Sequence, residues 1–214
     1  MTLKIHNKIG PETGAKAITL RILEFDPGVS PELRNEDRDE VLFSLNSCRL
    51  VVDELTYELE PQSGVFIRAQ QAFRVENRGT EPVIFVSSQC PSTKATPPTV
   101  VKLADQRAMP TGDRWYRVLI DSEVTQFVGS IPPGRAPDHF HEYEEVLFIL
   151  QGEGRAWKGS SSTRIESGSC VYLPRRQVHC VENTGTGELR LLGVFYPAGS
   201  PAVRYEAESS TQNL

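Results

Sequence analysis

The chain has 214 residues, a formal net charge of −5 and a hydrophobic content of 38%, which allows one large domain or two small ones with a real core. The acidic balance and the scattered lysines and arginines exclude the basic stripe of a nucleic-acid-binding protein. No stretch approaches the roughly 18–20 apolar residues of a membrane span, and the N-terminal residues lack the apolar core of a secretion signal.

Short apolar runs separated by Gly, Pro, Asn, Asp and Ser recur along the chain, and they predict an all-β protein. No long segment has the 3.6-residue period of a helix. The first set of predicted strands comprises 17–25, 40–45, 49–59, 64–69 and 82–89. The second set comprises 114–120, 124–131, 145–150, 154–159, 169–174 and 189–197. Many short strands with regular turn signals indicate a sandwich or a barrel.

A stretch rich in Pro, Thr and Ser separates the two sets and reads as a linker with one short turn or strand inside it. We therefore predict an N-terminal unit over 1–92, a linker over 93–113, a C-terminal unit over 114–203 and a polar, poorly ordered tail over 204–214. The first residues, including His6, are expected to be mobile and to have no role.

The two halves resemble each other. Val-Glu-Asn occurs at 75–77 and again at 181–183, and a glycine follows two residues later in both cases. Upstream, DEVLFSL (39–45) matches EEVLFIL (144–150). The two offsets, 106 and 105 residues, differ by one. This pattern predicts an internal duplication of one β-unit.

Three of the four histidines are placed to meet at one point. His139 and His141 share one face of a strand because side chains alternate, and Glu145 returns to that face after a tight turn. His179 begins another strand 38 residues after His141, in a hairpin that an antiparallel barrel could place beside the first. Three imidazoles and one carboxylate suit Fe, Mn, Ni, Co, Cu or Zn, whereas Ca²⁺ and Mg²⁺ prefer oxygen ligands.

These two segments resemble the signature of the cupin superfamily. The first family motif, G-x5-H-x-H-x3or4-E-x6-G, fits His139, His141, Glu145 and Gly152, with Gly134 one residue too close. The second, G-x5-P-x-G-x2-H-x3-N, fits Gly168, Pro174, His179 and Asn183, with Arg176 at the middle glycine. The resemblance implies two jelly-roll barrels, a bicupin, with metal ligands His139, His141, Glu145 and His179.

The upstream copy lacks these ligands. The places of His139 and His141 fall near Arg34 and Glu36, while Phe73 stands in the place of His179. Only Glu40 keeps its counterpart, Glu145. The resemblance therefore implies a metal in the C-terminal barrel alone.

Candidates for catalysis beyond the metal ligands are weak. Tyr143 shares the parity of the ligands, and Arg176 precedes His179 and could bind a carboxylate. In the place of a glycine, Arg176 is expected to impose a different turn. Glu142 and Glu144 are expected to be solvated loop charges. No organic cofactor site is predicted.

The leading functional hypothesis is a metal-dependent enzyme acting on a small oxygenated metabolite such as an enol, a diketone, a hydroxy acid or a sugar derivative. Within it, Fe-dependent dioxygenation is favoured over isomerase, lyase or decarboxylase chemistry with Mn, Ni or Zn. The alternative is a cupin that binds a small ligand without turnover. The four cysteines form no CxxC pair, which favours a cytoplasmic protein, and exposed sheet edges make a homodimer a further expectation.

Overall fold

A computed structural model describes residues 1–92, 94 and 96–202, together with the backbone of 205–206. Over these residues the chain forms β-strands and two single-turn 3-10 helices, Pro11–Thr13 and Leu103–Asp105, and no α-helix. The all-β prediction is therefore confirmed. Neither of these short helices has the length or apolarity that crossing a membrane would require. Apart from the backbone of 205–206, the predicted tail lies outside the described residues.

Two facing sheets form the upstream barrel. Its strands are β1 (Leu3–Ile9), β2 (Leu20–Phe25), β3 (Gly28–Val29), β4 (Leu33–Arg34), β5 (Arg38–Ser44), β6 (Cys48–Val52), β7 (Leu55–Leu59), β8 (Ser63–Ile67), β9 (Ala72–Asn77), β10 (Val83–Pro91) and β11 (Val100–Lys102). One sheet has the order β1-β2-β10-β5-β8-β11. The other has the order β3-β9-β6-β7, with β4 also paired to β9.

The downstream barrel repeats this arrangement. Its strands are β12 (Met109–Thr111), β13 (Arg114–Asp121), β14 (Thr125–Ile131), β15 (Gly134–Arg135), β16 (His139–Phe140), β17 (Glu144–Gln151), β18 (Glu153–Lys158), β19 (Ser161–Glu166), β20 (Cys170–Leu173), β21 (His179–Asn183), β22 (Leu189–Tyr196) and β23 (Tyr205–Glu206). One sheet has the order β12-β13-β14-β22-β17-β20. The other has the order β19-β18-β21-β16-β23, with β15 also paired to β21.

Alternation along the strands creates three apolar cores. In β5, Leu42 points into the upstream barrel, whereas Val41 and Phe43 point outward to a core shared with the downstream barrel. In β17, Leu147 points into the downstream barrel, whereas Val146 points to the shared core. The two six-stranded sheets therefore pack face to face, and this packing buries both of their outer surfaces.

Three local predictions need correction or refinement. The N-terminal residues form an ordered edge strand, β1, which pairs along β2 from Leu3↔Phe25 to Ile9↔Leu20. The single strand predicted over 49–59 is a hairpin, β6 and β7, whose turn includes Asp53 with φ of 52°. The stretch 93–113 contains two strands, β11 and β12, which join different barrels. The domain boundaries themselves stay a prediction.

The same turns recur in both barrels at one spacing. The Asn183 amide donates to Ile131 O (2.8 Å) and Gly187 O (2.7 Å) and accepts from the Gly185 N–H. Residues 106 positions upstream repeat these bonds: Asn77 donates to Phe25 O and Glu81 O and accepts from the Gly79 N–H. Asn183, the last residue of the second motif, therefore binds backbone groups in a turn.

Candidate metal centre

Three of the four predicted ligands lie in strands of the downstream barrel, and His141 immediately follows β16. His139 pairs directly with His179 across β16 and β21. Two residues later His141 returns to the same face, as strand alternation requires. Glu145 lies in β17, between Leu173 of β20 and Phe195 of β22, and it shares the inward face with Leu147. Glu145, His141 and His179 are all at least nine-tenths buried.

The three imidazole rings meet at one point. Their centroids are separated by 4.9 Å (His139 to His141), 4.5 Å (His139 to His179) and 4.9 Å (His141 to His179). One ligand atom from each ring lies within 4.8 Å of the others. Glu145 Oε2 is 3.4 Å from His141 Nε2 and 3.8 Å from His179 Nε2. The structure thus brings together all four residues that the sequence pattern selected.

Backbone carbonyls orient two of the rings. Because a carbonyl oxygen only accepts, His139 Nδ1 donates to Pro137 O (3.0 Å) and His179 Nδ1 donates to Gln177 O (2.7 Å). In these tautomers the Nε2 lone pairs are left for a metal. Burial and the neighbouring His179 lower the pKa of His139 to about 4, and burial lowers the pKa of His179. Both rings are therefore neutral at pH 7.

The buried polar atoms fit a metal ion. His179 Nε2 is buried and has no hydrogen-bond partner among the described residues, although it faces the carboxylate of Glu145. A buried acceptor without a partner is costly, and a cation between the imidazoles and the carboxylate would satisfy it. Three neutral nitrogen ligands and one carboxylate form a donor set suited to one divalent transition metal.

Tyr143 and Arg176 both contact His141, but the Tyr143 hydroxyl and the Arg176 guanidinium point away from the imidazole rings. The Tyr143 ring stacks on His141 with centroids 4.7 Å apart, and its hydroxyl donates to Ser200 O. The backbone N–H of Arg176 donates to His141 O (2.7 Å), while its exposed side chain pairs with Glu142. Neither residue lines the cavity beside the histidines.

The expectation that Arg176 would impose a different turn is wrong. Arg176 adopts a left-handed φ of 61°, the region in which glycine is favoured. Its upstream counterpart Gln70 has φ of 67°, and the Gln70 N–H donates to Asn35 O in the same manner. The turn is therefore held by this backbone bond and tolerates a side chain that points to solvent.

A cavity of about 100 Å³ lies beside the three histidines. Its walls are mostly apolar, and they include Phe127, Leu147, Leu173, Val181, Leu191 and Phe195. Arg114, the first residue of β13, also lines it. Sequence reasoning missed this residue. The available signal was that Arg114 lies two residues before Tyr116, which packs in the downstream core, so both side chains point to the same side of β13. Without the fold, however, Arg117 on the same strand is an equally good candidate for an inward-facing arginine.

Glu144 is not the solvated loop charge that we expected. It is 3% exposed, and its carboxylate accepts hydrogen bonds from the backbone N–H groups of Lys16, Ala17 and Ile18. The Tyr172 hydroxyl donates to it as well, at 3.0 Å. Burial alone would raise the pKa of Glu144, but these hydrogen bonds outweigh it and lower the pKa. The residue before the predicted ligand Glu145 therefore joins the two barrels.

The upstream barrel carries a different polar cluster at the corresponding place. Leu33 pairs with Phe73 where His139 pairs with His179, so Leu33 and Asn35 take the histidine positions, one residue before those we predicted. Glu40, which is 1% exposed, accepts from Arg21 Nη2 (2.6 Å) and Asn35 Nδ2 (2.6 Å). A guanidinium thus neutralises the carboxylate. Within the described ranges, the only cluster of three or more metal-binding side chains is the histidine group downstream.

The family model for the cupin domain matches residues 127–195. This segment contains the four ligands and most of the downstream barrel. The downstream barrel is therefore similar to a cupin domain, and the upstream barrel has a similar strand arrangement. The fold of the chain agrees with a putative glyoxylate induced protein from Pseudomonas aeruginosa, with a TM-score of 0.78 over 92% of this chain and 82% of that one, at 18% identity. A mutant oxalate decarboxylase from Bacillus subtilis gives 0.75 over 92% and 74%, at 14% identity.

Two curated relatives match shorter segments of this chain. An oxalate-binding protein of Thermotoga maritima is 34% identical over 67 residues, which are 30% of this chain and 55% of that protein. An uncharacterized protein of Methanocaldococcus jannaschii is 32% identical over 54 residues, 25% and 43% of the two chains. The matches thus span about half of each relative.

Proposed function

We propose that this chain is a bicupin enzyme that uses one divalent transition metal to act on a small oxygenated metabolite. The observation that carries the proposal is the buried, unpartnered Nε2 of His179, which faces Glu145 and two further imidazoles beside a cavity. His139, His141, His179 and Glu145 would hold the ion. When bound, such an ion polarises an oxygen of the substrate and lowers the pKa of coordinated water.

The chain's own residues supply orientation and exclusion of water. Pro137 O and Gln177 O fix the tautomers of His139 and His179, and the Tyr143 ring fixes the plane of His141. The apolar walls keep the dielectric constant low around the ligands. Charged groups in such surroundings act more strongly on a developing charge than they do in water.

We favour a heterolytic reaction, such as a lyase, isomerase or decarboxylase step. Arg114 and the proposed cation are two positive groups along one small cavity, and this pairing stabilises negative charge that develops on substrate oxygens. The names of two relatives, an oxalate decarboxylase and an oxalate-binding protein, support acids as substrates.

Dioxygenation with iron, the reaction that the sequence favoured, is the second candidate. Its support is the apolar lining, which includes Phe127, Leu147 and Phe195 and suits an apolar gas. Manganese, nickel, zinc, cobalt and copper are compatible with the same ligands. An origin by internal duplication, a cytoplasmic location and a homodimer also remain proposals.

The test is a turnover assay on protein purified without chelators. Metal content is measured first, and small hydroxy acids, oxo acids, diketones and enols are then screened with an oxygen electrode. We expect metal-dependent product formation without oxygen uptake, and its loss in His141→Ala but not in the surface variant Glu142→Gln. Stoichiometric oxygen uptake would favour the dioxygenase. A metal-loaded protein that binds these compounds without converting any would refute the enzymatic proposal.

A further inference from the structure

We propose that Arg114 anchors a carboxylate group of the substrate, so that the site selects small carboxylate anions. This inference rests on the proposed function, because it concerns the same cavity. Besides the proposed metal ion, Arg114 would be a second group that binds the substrate. It belongs to neither cupin motif and lies in the hairpin formed by β12 and β13.

Burial and strand direction place Arg114 inside the barrel. Arg114 is 8% exposed and alternates with Trp115, which is half exposed. Tyr116, two residues on, belongs to the core of the downstream barrel. The register Thr111↔Arg114 fixes the start of β13 against β12. Arg114 therefore faces the same interior as the three histidines, with which it lines one cavity.

The guanidinium of Arg114 is only partly satisfied. Its Nη1 donates to Asp113 Oδ1 at 2.9 Å, but the Asp113 side chain is 65% exposed. Its Nε is buried and has no hydrogen-bond partner within the described part of the chain. A guanidinium has five N–H donors in a rigid fork, and leaving a buried donor of a charged group unpaired is costly. An acceptor supplied by a ligand would remove that cost.

The charges of the cavity select an anion. Among the described residues that line the cavity, Glu145 is the only acidic one, and it faces the proposed divalent ion. With Arg114 the lining then carries excess positive charge behind apolar walls. A carboxylate matches the fork of a guanidinium with two parallel hydrogen bonds.

The small volume of the cavity favours a small anion. About 100 Å³ accommodates only a small molecule. The two positive groups favour an acid with a second oxygenated end, such as a dicarboxylate, a 2-oxo acid or a 2-hydroxy acid.

The experiment measures the affinity of oxalate, glyoxylate and malonate by calorimetry, with both metal-loaded and metal-free protein. Arg114→Gln should weaken binding of the preferred anion by about 10–100-fold in either form. Arg114→Lys should recover part of the loss, since it keeps the charge but not the fork. Arg117→Gln is the matched control, because Arg117 lies on the same strand but lines the groove outside the barrel. Oxamide, the neutral diamide of oxalate, should bind at least 10-fold more weakly than oxalate.

Metal content and thermal unfolding of each variant separate the two proposals. Loss of oxalate affinity in a folded Arg114→Gln protein that keeps its metal supports the anchor. Equal affinity of wild type and Arg114→Gln, equal affinity for oxamide and oxalate, or no binding of any of the three anions would overturn it. A wild-type protein that takes up no metal but binds anions through Arg114 would refute the metal-dependent function and leave the anchor standing.

Discussion

Replacement of Glu144 should weaken the union of the two barrels. Its carboxylate accepts from three consecutive backbone N–H groups, those of Lys16, Ala17 and Ile18, and from the Tyr172 hydroxyl. In Glu144→Ala these donors lose their acceptor in a region from which water is largely excluded. In Glu144→Gln the amide oxygen still accepts, but the amide N–H₂ group would point its donors at other donors.

A hydrogen bond to a charged group contributes about 1.5–3 kcal/mol, and removing one partner leaves the other unsatisfied. The four bonds share one carboxylate, so their energies are not additive. We therefore expect Glu144→Ala to lower the free energy of unfolding by about 3–5 kcal/mol, and Glu144→Gln by about 2–3 kcal/mol. The neighbouring Glu142 is exposed and pairs with exposed Arg176, so Glu142→Ala should cost less than about 1 kcal/mol.

Urea denaturation followed by tryptophan fluorescence is the appropriate assay. Both tryptophans, Trp115 and Trp157, belong to the downstream barrel, so their signal reports on the half of the chain that contains Glu144. The midpoints for the two Glu144 variants should fall well below that for Glu142→Ala. If Glu144→Ala and Glu142→Ala unfold at the same urea concentration, the carboxylate does not join the barrels and the reasoning is refuted.

Further substitutions test the packing, the polar cluster of the upstream barrel and one turn. Gln126→Leu should raise the free energy of unfolding by about 1–2 kcal/mol, because both amide atoms of Gln126 are buried without a hydrogen-bond partner in the described structure; an unchanged or lower denaturation midpoint would contradict this. Arg21→Met should cost about 3–5 kcal/mol by leaving Glu40 buried and unpaired, and Glu40→Met added to it should restore much of the loss. Neither change should alter the metal content. Loss of the metal ion in either variant would indicate that the metal binds in the upstream barrel, contrary to our assignment. Gly152→Ala should cost about 2–3 kcal/mol, because φ is +90° and the new Cβ would lie 2.9 Å from Leu189 Cα; a wild-type midpoint would show that the turn can relax.

The ligand group could be predicted from sequence because its determinants are short-range. His139 is the first residue of β16 and His141 follows it two residues later, and the spacing to Glu145 includes only one turn. His179 arrives in a hairpin whose position follows from antiparallel pairing. The two repeated segments, which occur in the same order in both halves of the sequence, likewise predicted two similar barrels.

The predicted residues that replace the ligands upstream were wrong by one position for a physical reason. Glu145 lies four positions after His141, whereas Glu40 lies five positions after Asn35. The upstream loop therefore contains one extra residue. Because the sequence alignment started from the glutamate, it assigned the counterparts of His139 and His141 one position too late in the chain. The strand register, with Leu33 opposite Phe73, removes the ambiguity.

The roles of Arg114 and Glu144 could not be predicted, because each depends on contacts between distant segments. Glu144 binds a turn 126–128 residues earlier in the chain, and nothing local distinguishes it from exposed Glu142. Arg114 follows a hairpin in a stretch that reads as linker, and its burial depends on closure of the barrel. The edge strand β1 was missed for a similar reason, since five of its seven residues are exposed.

The most direct test of the central claim is anomalous X-ray diffraction from crystals of protein purified without chelators. We predict one metal ion per chain, about 2.0–2.3 Å from the Nε2 atoms of His139, His141 and His179 and from a carboxylate oxygen of Glu145. An ion elsewhere, for example beside Glu40 of the upstream barrel, or a fully ordered histidine cluster that takes up no transition metal, would contradict the account.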